Sequence, residues 1–201
     1  GWVCWAFSNH DVKRHVSRWK KPGQDSDKVA RFAIWLLACL PGSICIYQGE
    51  ELGMEEADLT FEQLRDPYGI RFWPGFKGRD GCRTPMVWEA GKVNAGFSTG
   101  EPWLPVSAES EKRTVGAQEG EANSVLNHYR AVLAARRAAP ALVSGGFRFL
   151  ESDVDVLALA GRLGMAKRSL YRDDRIEAGE DIADRDAGLL RLAPRLAGDR
   201  H

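Results

Sequence analysis

Two short apolar runs constrain this chain more than any other feature. Residues 2–7 and residues 43–47 are almost without interruption apolar. Each stops at a polar cluster, Ser8-Asn9-His10-Asp11 after the first and Gln48-Gly49-Glu50-Glu51 after the second. A run with no polar alternation fits a strand covered on both faces, as in a parallel sheet. Between the runs, Val29, Phe32, Ala33, Leu36, Leu37 and Leu40 recur at helical spacing. Asp25, Ser26 and Asp27 offer N-caps, and Pro41-Gly42 stops the helix. Strand, loop, helix, turn, strand predicts a βαβ unit with a right-handed crossover. In such α/β folds the residues just beyond the C-terminal strand ends are where binding groups collect.

The remainder divides by texture. Residues 15–24 are polar. Residues 52–115 have little periodicity and many Gly, Pro, Trp and Phe, the mark of a long functional loop. Within it, Thr60-Phe61-Glu62-Gln63 has capping-box form and predicts one short helix. Residues 107–123 are polar and expected to be exposed. Asn123 or Ser124 then caps a second helix whose apolar face is Val125, Tyr129, Val132 and Leu133, with Arg136 and Arg137 near its end before Pro140. Residues 147–150 and 154–159 predict a hairpin. From about Gly161 the composition changes, since all seven Trp, eight Phe and four Cys lie earlier. The tail is expected to hold isolated helix or coil and no packed β-domain. Two readings of it stand: a charged end of the protein, or a stretch outside the native reading frame.

With 201 residues, 44% of them hydrophobic, and zero formal net charge, the chain can build one domain or a domain and a fragment. The balanced charge and the lack of a basic stripe argue against a nucleic-acid partner. No apolar run approaches the roughly 20 residues needed to span a bilayer, so no membrane partner is expected. No signal-peptide pattern is present, although the chain opens on Gly-Trp-Val-Cys. Cys4, Cys39, Cys45 and Cys82 have no C-x-x-C spacing and no His placed to complete a zinc site, so no metal and no cofactor are expected. Three of the four lie in apolar segments and read as buried free thiols, which points to a reducing compartment, the cytoplasm.

Three constellations carry chemistry. His10 and Asp11 lie side by side beyond the first strand. A carboxylate there can accept hydrogen bonds from vicinal hydroxyls or face a developing positive charge, and an imidazole can donate to another hydroxyl. The alternative is that Asn9 and Asp11 only shape a turn. In Tyr47-Gln48-Gly49-Glu50-Glu51-Leu52-Gly53 the two carboxylates read as holding the loop and pairing with basic neighbours. The third is Lys77-Gly78-Arg79-Asp80-Gly81-Cys82-Arg83-Thr84-Pro85-Met86, followed by Trp88. A guanidinium such as Arg79 can hold a carboxylate and a hydroxyl together.

Phe7-Ser8-Asn9-His10-Asp11 resembles the fourth conserved region of glycoside hydrolase family 13. The string onward through Arg18-Trp19 is similar to that of its bacterial α-glucosidases. The third constellation resembles the Arg-Asp-x-x-Arg-Thr-Pro-Met stretch of oligo-1,6-glucosidases. Asp66-Pro67-Tyr68-Gly69 and Phe97-Ser98-Thr99-Gly100-Glu101-Pro102-Trp103 also look like the family, and their aromatics read either as lining an acceptor subsite or as core. The resemblance covers roughly residues 1–160. It departs at Val87, where close relatives are expected to carry Pro or Gln, and after Gly161, where the family's C-terminal β-domain is not recognisable.

The resemblance implies an α/β fold: the last two βα units of a (β/α)8 TIM barrel in residues 1–139, a truncated start of a C-terminal β-domain in 140–160, and the atypical tail in 161–201. It implies retaining hydrolysis of terminal α-linked glucose from small α-glucosides or oligosaccharides. Asp11 takes the part of the third catalytic carboxylate, binding the 2- and 3-hydroxyls of glucose in subsite −1. His10 and Arg79 are substrate ligands, the Arg near the glucose 4-hydroxyl and paired with an Asp from an upstream region this chain does not contain. Arg83 is a further candidate ligand, with a structural ion pair as its alternative. Retaining chemistry needs a nucleophile and an acid/base carboxyl about 5 to 5.5 Å apart. In the family these follow strands four and five, so these 201 residues alone are expected to be inactive, and their open sheet edges to make the isolated piece prone to aggregate. The other readings are a sucrose isomerase or transglucosylase, and a non-catalytic family 13-like protein that binds a partner.

Overall fold

The computed structural model describes residues 3–144, 146–150, 157–162 and 189–192. These fall into two compact units. One comprises the described residues of Gly1–Trp5, Ile34–Ile44 and Val132–His201, and the other Ala6–Ala33 and Cys45–Ala131.

In the first unit, β1 (Cys4–Trp5) pairs in parallel with β2 (Ser43–Ile44), Cys4 opposite Ser43 and Trp5 opposite Ile44. The ladder is shorter than the apolar runs suggest. Cys4 and Trp5 are exposed, and Trp5 Nε1 donates to Pro41 O at 2.8 Å. After β1 the chain passes into the second unit and forms α1 (His15–Trp19), where the sequence predicted only polar loop. His15 enters the interior because its ring packs on Phe7 and Trp19, a contact that periodicity cannot reveal. Next comes α2 (Ser26–Cys39), beginning among the expected N-caps and ending before Pro41-Gly42. Its buried stripe is Ala30, Ala33, Ile34, Leu37 and Ala38, while Val29, Phe32 and Leu36 are half-buried. The buried face is thus turned toward the alanines, whose small side chains allow close approach.

In the second unit, the segment beyond β2 is a chain of tight turns, including a 3₁₀ turn at Phe61–Gln63 in which Thr60 N–H donates to Gln63 Oε1 at 2.9 Å. One short helix, α3 (Pro67–Phe72), follows with Asp66 as N-cap. The segment expected to be an exposed polar stretch holds α4 (Ala108–Glu111) and α5 (Val115–Glu119), capped by Ser107 and Thr114, with Ser110 and Thr114 buried. These helices rest on caps instead of an apolar stripe, which is why helical periodicity missed them. Val87, the departure from the family string, is fully buried with Leu52, Met54, Ala95 and Leu126. Side chains of this size are each worth about 1.5–3 kcal/mol when fully buried.

Then come α6 (Val125–Ala138) and α7 (Pro140–Ser144). Arg136, buried near the end of α6, donates to Ala38 O, to Leu40 O at 3.0 Å and to Gly42 O at 2.5 Å, satisfying carbonyls at the end of α2 and in the turn after it, and to Leu142 O of α7 at 2.8 Å. The predicted hairpin is present as β3 (Gly146–Leu150) antiparallel to β4 (Leu157–Arg162), and residues 154–156 lie outside the described residues. A third strand, β5 (Leu189–Leu192), pairs antiparallel with β4. This corrects the expectation of only helix or coil in the tail: the sequence Leu189-Leu190-Arg191-Leu192 is mostly apolar, as a strand allows. The rest of the tail lies outside the described residues.

All four cysteines are free, but only Cys39 and Cys82 are buried; Cys4 and Cys45 are exposed, against expectation. Among the described residues no helix is long and apolar enough to cross a membrane, and no group of three or more His, Cys, Asp or Glu could hold a metal ion.

Candidate functional site

The polar cluster after β1 is held from beneath. Ser8 Oγ accepts the His15 N–H at 2.9 Å and sits 3.1 Å from His15 Nδ1, which lies 3.6 Å from Glu50 Oε1. Phe7 packs edge-on against Trp19 at 4.8 Å between ring centroids, and Arg18 Nη2 donates to Phe7 O at 2.6 Å. Asn9 Oδ1 accepts the Asp11 N–H at 2.8 Å, closing a side-chain turn. The buried anchor leaves His10 and Asp11 projecting: their side chains are 70% and 50% exposed, with His10 Nε2 3.4 Å from Asp11 Oδ2.

Two guanidinium groups meet the other Asp11 oxygen. Arg79 Nη1 and Arg83 Nη2 each donate to Asp11 Oδ1 at 3.0 Å, and Arg83 Nε donates to His10 O at 2.7 Å. His10, Asp11, Arg79 and Arg83, the four residues singled out in sequence, therefore converge within one unit. Partial desolvation pushes the Asp11 carboxyl upward. The charge of His10, the hydrogen bond and charge of Arg79 and the hydrogen bond of Arg83 together outweigh that, leaving it below its ordinary value.

Sequence reasoning missed the partner of Arg79. The resemblance implied an upstream Asp, whereas among the described residues the guanidinium is gripped by Asp66. Nε donates to Oδ2 at 2.8 Å and Nη2 to Oδ1 at 3.1 Å, and the Arg79 backbone N–H adds a third bond to Oδ2 at 2.8 Å. The Arg79 side-chain hydrogen bond is the main reason the Asp66 carboxyl lies well below the usual carboxylate range, and the same bond raises Arg79. The available signal was Asp66-Pro67, an N-cap followed by Pro at the first helical position.

The second constellation splits. Glu50 is buried beside His15, as a loop-holding carboxylate should be. Glu51 instead lines an open cleft of about 350 Å³ with Gln48, Arg83, Met86, Trp88 and Phe97. Burial raises its carboxyl, and its Oε2 has no hydrogen-bond partner among the described residues. Phe97 sits at this cleft and Trp103 is 76% exposed, so neither is core.

An exposed carboxylate with one oxygen fixed by two guanidinium groups and the other beside an imidazole can take up adjacent hydroxyls and stabilise positive charge near them. It cannot by itself both attack a carbon and protonate a leaving group. Asp66 does not help, because both its oxygens are already engaged.

The described elements, a parallel strand pair with helices between and after the strands, are of the α/β class. The α-amylase catalytic-domain family matches residues 1–145, and the chain belongs to that family. It is 54% identical over 194 residues to a probable alpha-glucosidase of Rhizobium meliloti (strain 1021), an alignment spanning 96% of this chain and 34% of that protein. It is 34% identical over 171 residues to a probable oligo-1,6-glucosidase 2 of Bacillus subtilis (strain 168), spanning 76% of this chain and 30% of the relative. Among solved structures it resembles the alpha-glucosyl transfer enzyme XgtA, with TM-score 0.76, 50% identity, and coverage of 82% of this chain and 30% of that one. The chain thus spans about a third of the length of the relatives it matches.

Proposed function

We propose that this chain is the C-terminal portion of a retaining α-glucosidase acting on small α-glucosides. In this reading residues 1–139 complete the (β/α)8 barrel with its last two βα units, residues 140–160 begin a C-terminal β-domain, and residues 161–201 continue as a charged tail. The parallel pairing of β1 with β2 and the antiparallel sheet after α7 support that division. The alignment covering 96% of the chain favours a tail in its native frame, because fewer than about ten residues are left outside it. Free thiols fit a reducing, cytoplasmic setting.

The observation that carries the reading is the convergence of His10, Asp11 and Arg79, the last two 68 positions apart in sequence. Asp11 binds two neighbouring hydroxyls of the terminal glucose and stabilises the oxocarbenium-like transition state. His10 and Arg79 are substrate ligands, and Arg83 is either a further ligand or the ion pair that holds Asp11 through its hydrogen bond to Oδ1. The nucleophile and acid/base come from the portion of the longer protein that the relatives have and these 201 residues lack. A second reading is glucosyl transfer or sucrose isomerisation, and the likeness to a glucosyl transfer enzyme favours the first of these. A non-catalytic partner-binding role has less support, because it gives no reason to assemble this donor set.

The test is to express the full-length protein containing this chain and assay p-nitrophenyl α-glucoside and maltose, following product anomers by NMR. Release of α-glucose supports the reading. Glucose passed chiefly to a second sugar supports the transfer alternative, and absence of turnover leaves the partner-binding role.

A further inference from the structure

Asp66 is 0% exposed at its side chain, yet it is built against a site residue. Its own placement is secured in turn: Asp80, also buried, accepts the backbone N–H groups of Arg65 and Asp66 on Oδ2, both at 2.6 Å. Two glycines let α3 and the loop before Arg79 close on each other. Gly78 has φ +76°, and a Cβ there would lie 2.9 Å from Asp66 Oδ2; a Cβ on Gly69 would meet Lys77 O at 2.5 Å. The Tyr68 ring lies under the Arg79 guanidinium at 5.5 Å. Nε and Nη2 are consumed by Asp66, so Nη1 is the terminus that faces Asp11.

We infer that Asp66 is a positioning residue for the reaction: it fixes the plane of the Arg79 fork so that Nη1 orients the Asp11 carboxylate. The inference rests on the α-glucosidase reading but goes beyond the family's upstream partner for this Arg. Asp66 touches no substrate and acts through Arg79. An unclamped guanidinium could bind Asp11 from several directions, and the carboxylate would lose its fixed orientation toward the sugar.

The experiment uses the full-length protein. Wild-type turnover of p-nitrophenyl α-glucoside is measured first, and its absence overturns the α-glucosidase reading together with this inference. Given turnover, Asp66→Asn keeps an N-cap residue for α3 but loses the charge-assisted fork. It is expected to lower kcat about tenfold or more while moving KM less than about threefold. In an Arg79→Ala background the same substitution should cost no more than about twofold further. Asp66→Ser, which also caps, should behave like Asn. Equal losses with and without Arg79, or an unchanged kcat, overturn the inference and leave the α-glucosidase reading standing. If neither variant folds, Asp66 is a structural carboxylate and the inference is likewise overturned.

Discussion

Arg79 Nη1 lies 3.0 Å from Asp11 Oδ1, joining two loops that are 68 positions apart in sequence. Arg79 is a fork with three directed donors in use, two on Asp66 and one on Asp11. That geometry can be copied only by another planar guanidinium.

Arg79→Lys should therefore lower kcat/KM for a terminal α-glucoside by about tenfold or more, through KM because Arg79 is itself a ligand of the glucose in this reading, and through kcat because a point charge can satisfy one carboxylate but not bridge two. Steady-state kinetics on the full-length protein check this, and a change under about twofold would show that the fork is dispensable.

The Asp66 carboxyl is depressed in the folded state, so its contribution to stability is complete above its ordinary value of 3.8 and is lost as pH falls through the lower folded value. The melting-temperature gap between wild type and Asp66→Asn should be widest near about pH 7 and close on acidification toward about pH 2. A gap independent of pH would mean that the ion pair contributes nothing to stability.

Burial holds the Cys39 thiol at about 12 and the Cys82 thiol at about 11, whereas Cys4 and Cys45 are exposed. Brief alkylation of the native protein followed by peptide mass spectrometry should label Cys4 and Cys45 well ahead of Cys39 and Cys82. Cys82 Sγ donates to Arg79 O at 3.0 Å, so early labelling there would mean the site loop opens readily. Covering of Cys4 or Cys45 by the remainder of a longer chain would show instead as protection of those two.

Arg136→Met should cost about 3 kcal/mol of unfolding free energy, since it strands several carbonyls that the guanidinium now satisfies. Denaturant melts measure this directly. A loss below about 0.5 kcal/mol would show that water replaces the guanidinium freely.

Much of this was legible in the sequence for a physical reason. The apolar runs, the helical spacing in α2 and α6 and the strand-end motif are local patterns, and they placed His10 and Asp11 beyond the first strand; Arg79 and Arg83 were singled out by the family resemblance, and the hydrogen bonds of both to Asp11 are what the structure adds. What escaped depends on contacts distant in sequence or on caps. The Asp66–Arg79 clamp joins two turns 13 positions apart across a stretch without periodicity. His15 is drawn inside by Phe7 and Trp19, and Ser110 and Thr114 are buried in helices held by side-chain caps. Glu51 could not be told from Glu50 by spacing, because adjacent residues on a 3₁₀ turn face different surroundings.

The central claim is that Asp11 serves the transition state and is more than a handle for the sugar. The direct measurement is kcat and KM for Asp11→Asn in the full-length protein. Its interaction with the glucose hydroxyls strengthens as the ring distorts, so kcat should fall by about a hundredfold or more with KM little altered. If kcat stays near wild type while KM alone rises, Asp11 is only a binding contact and the mechanism assigned to it is wrong.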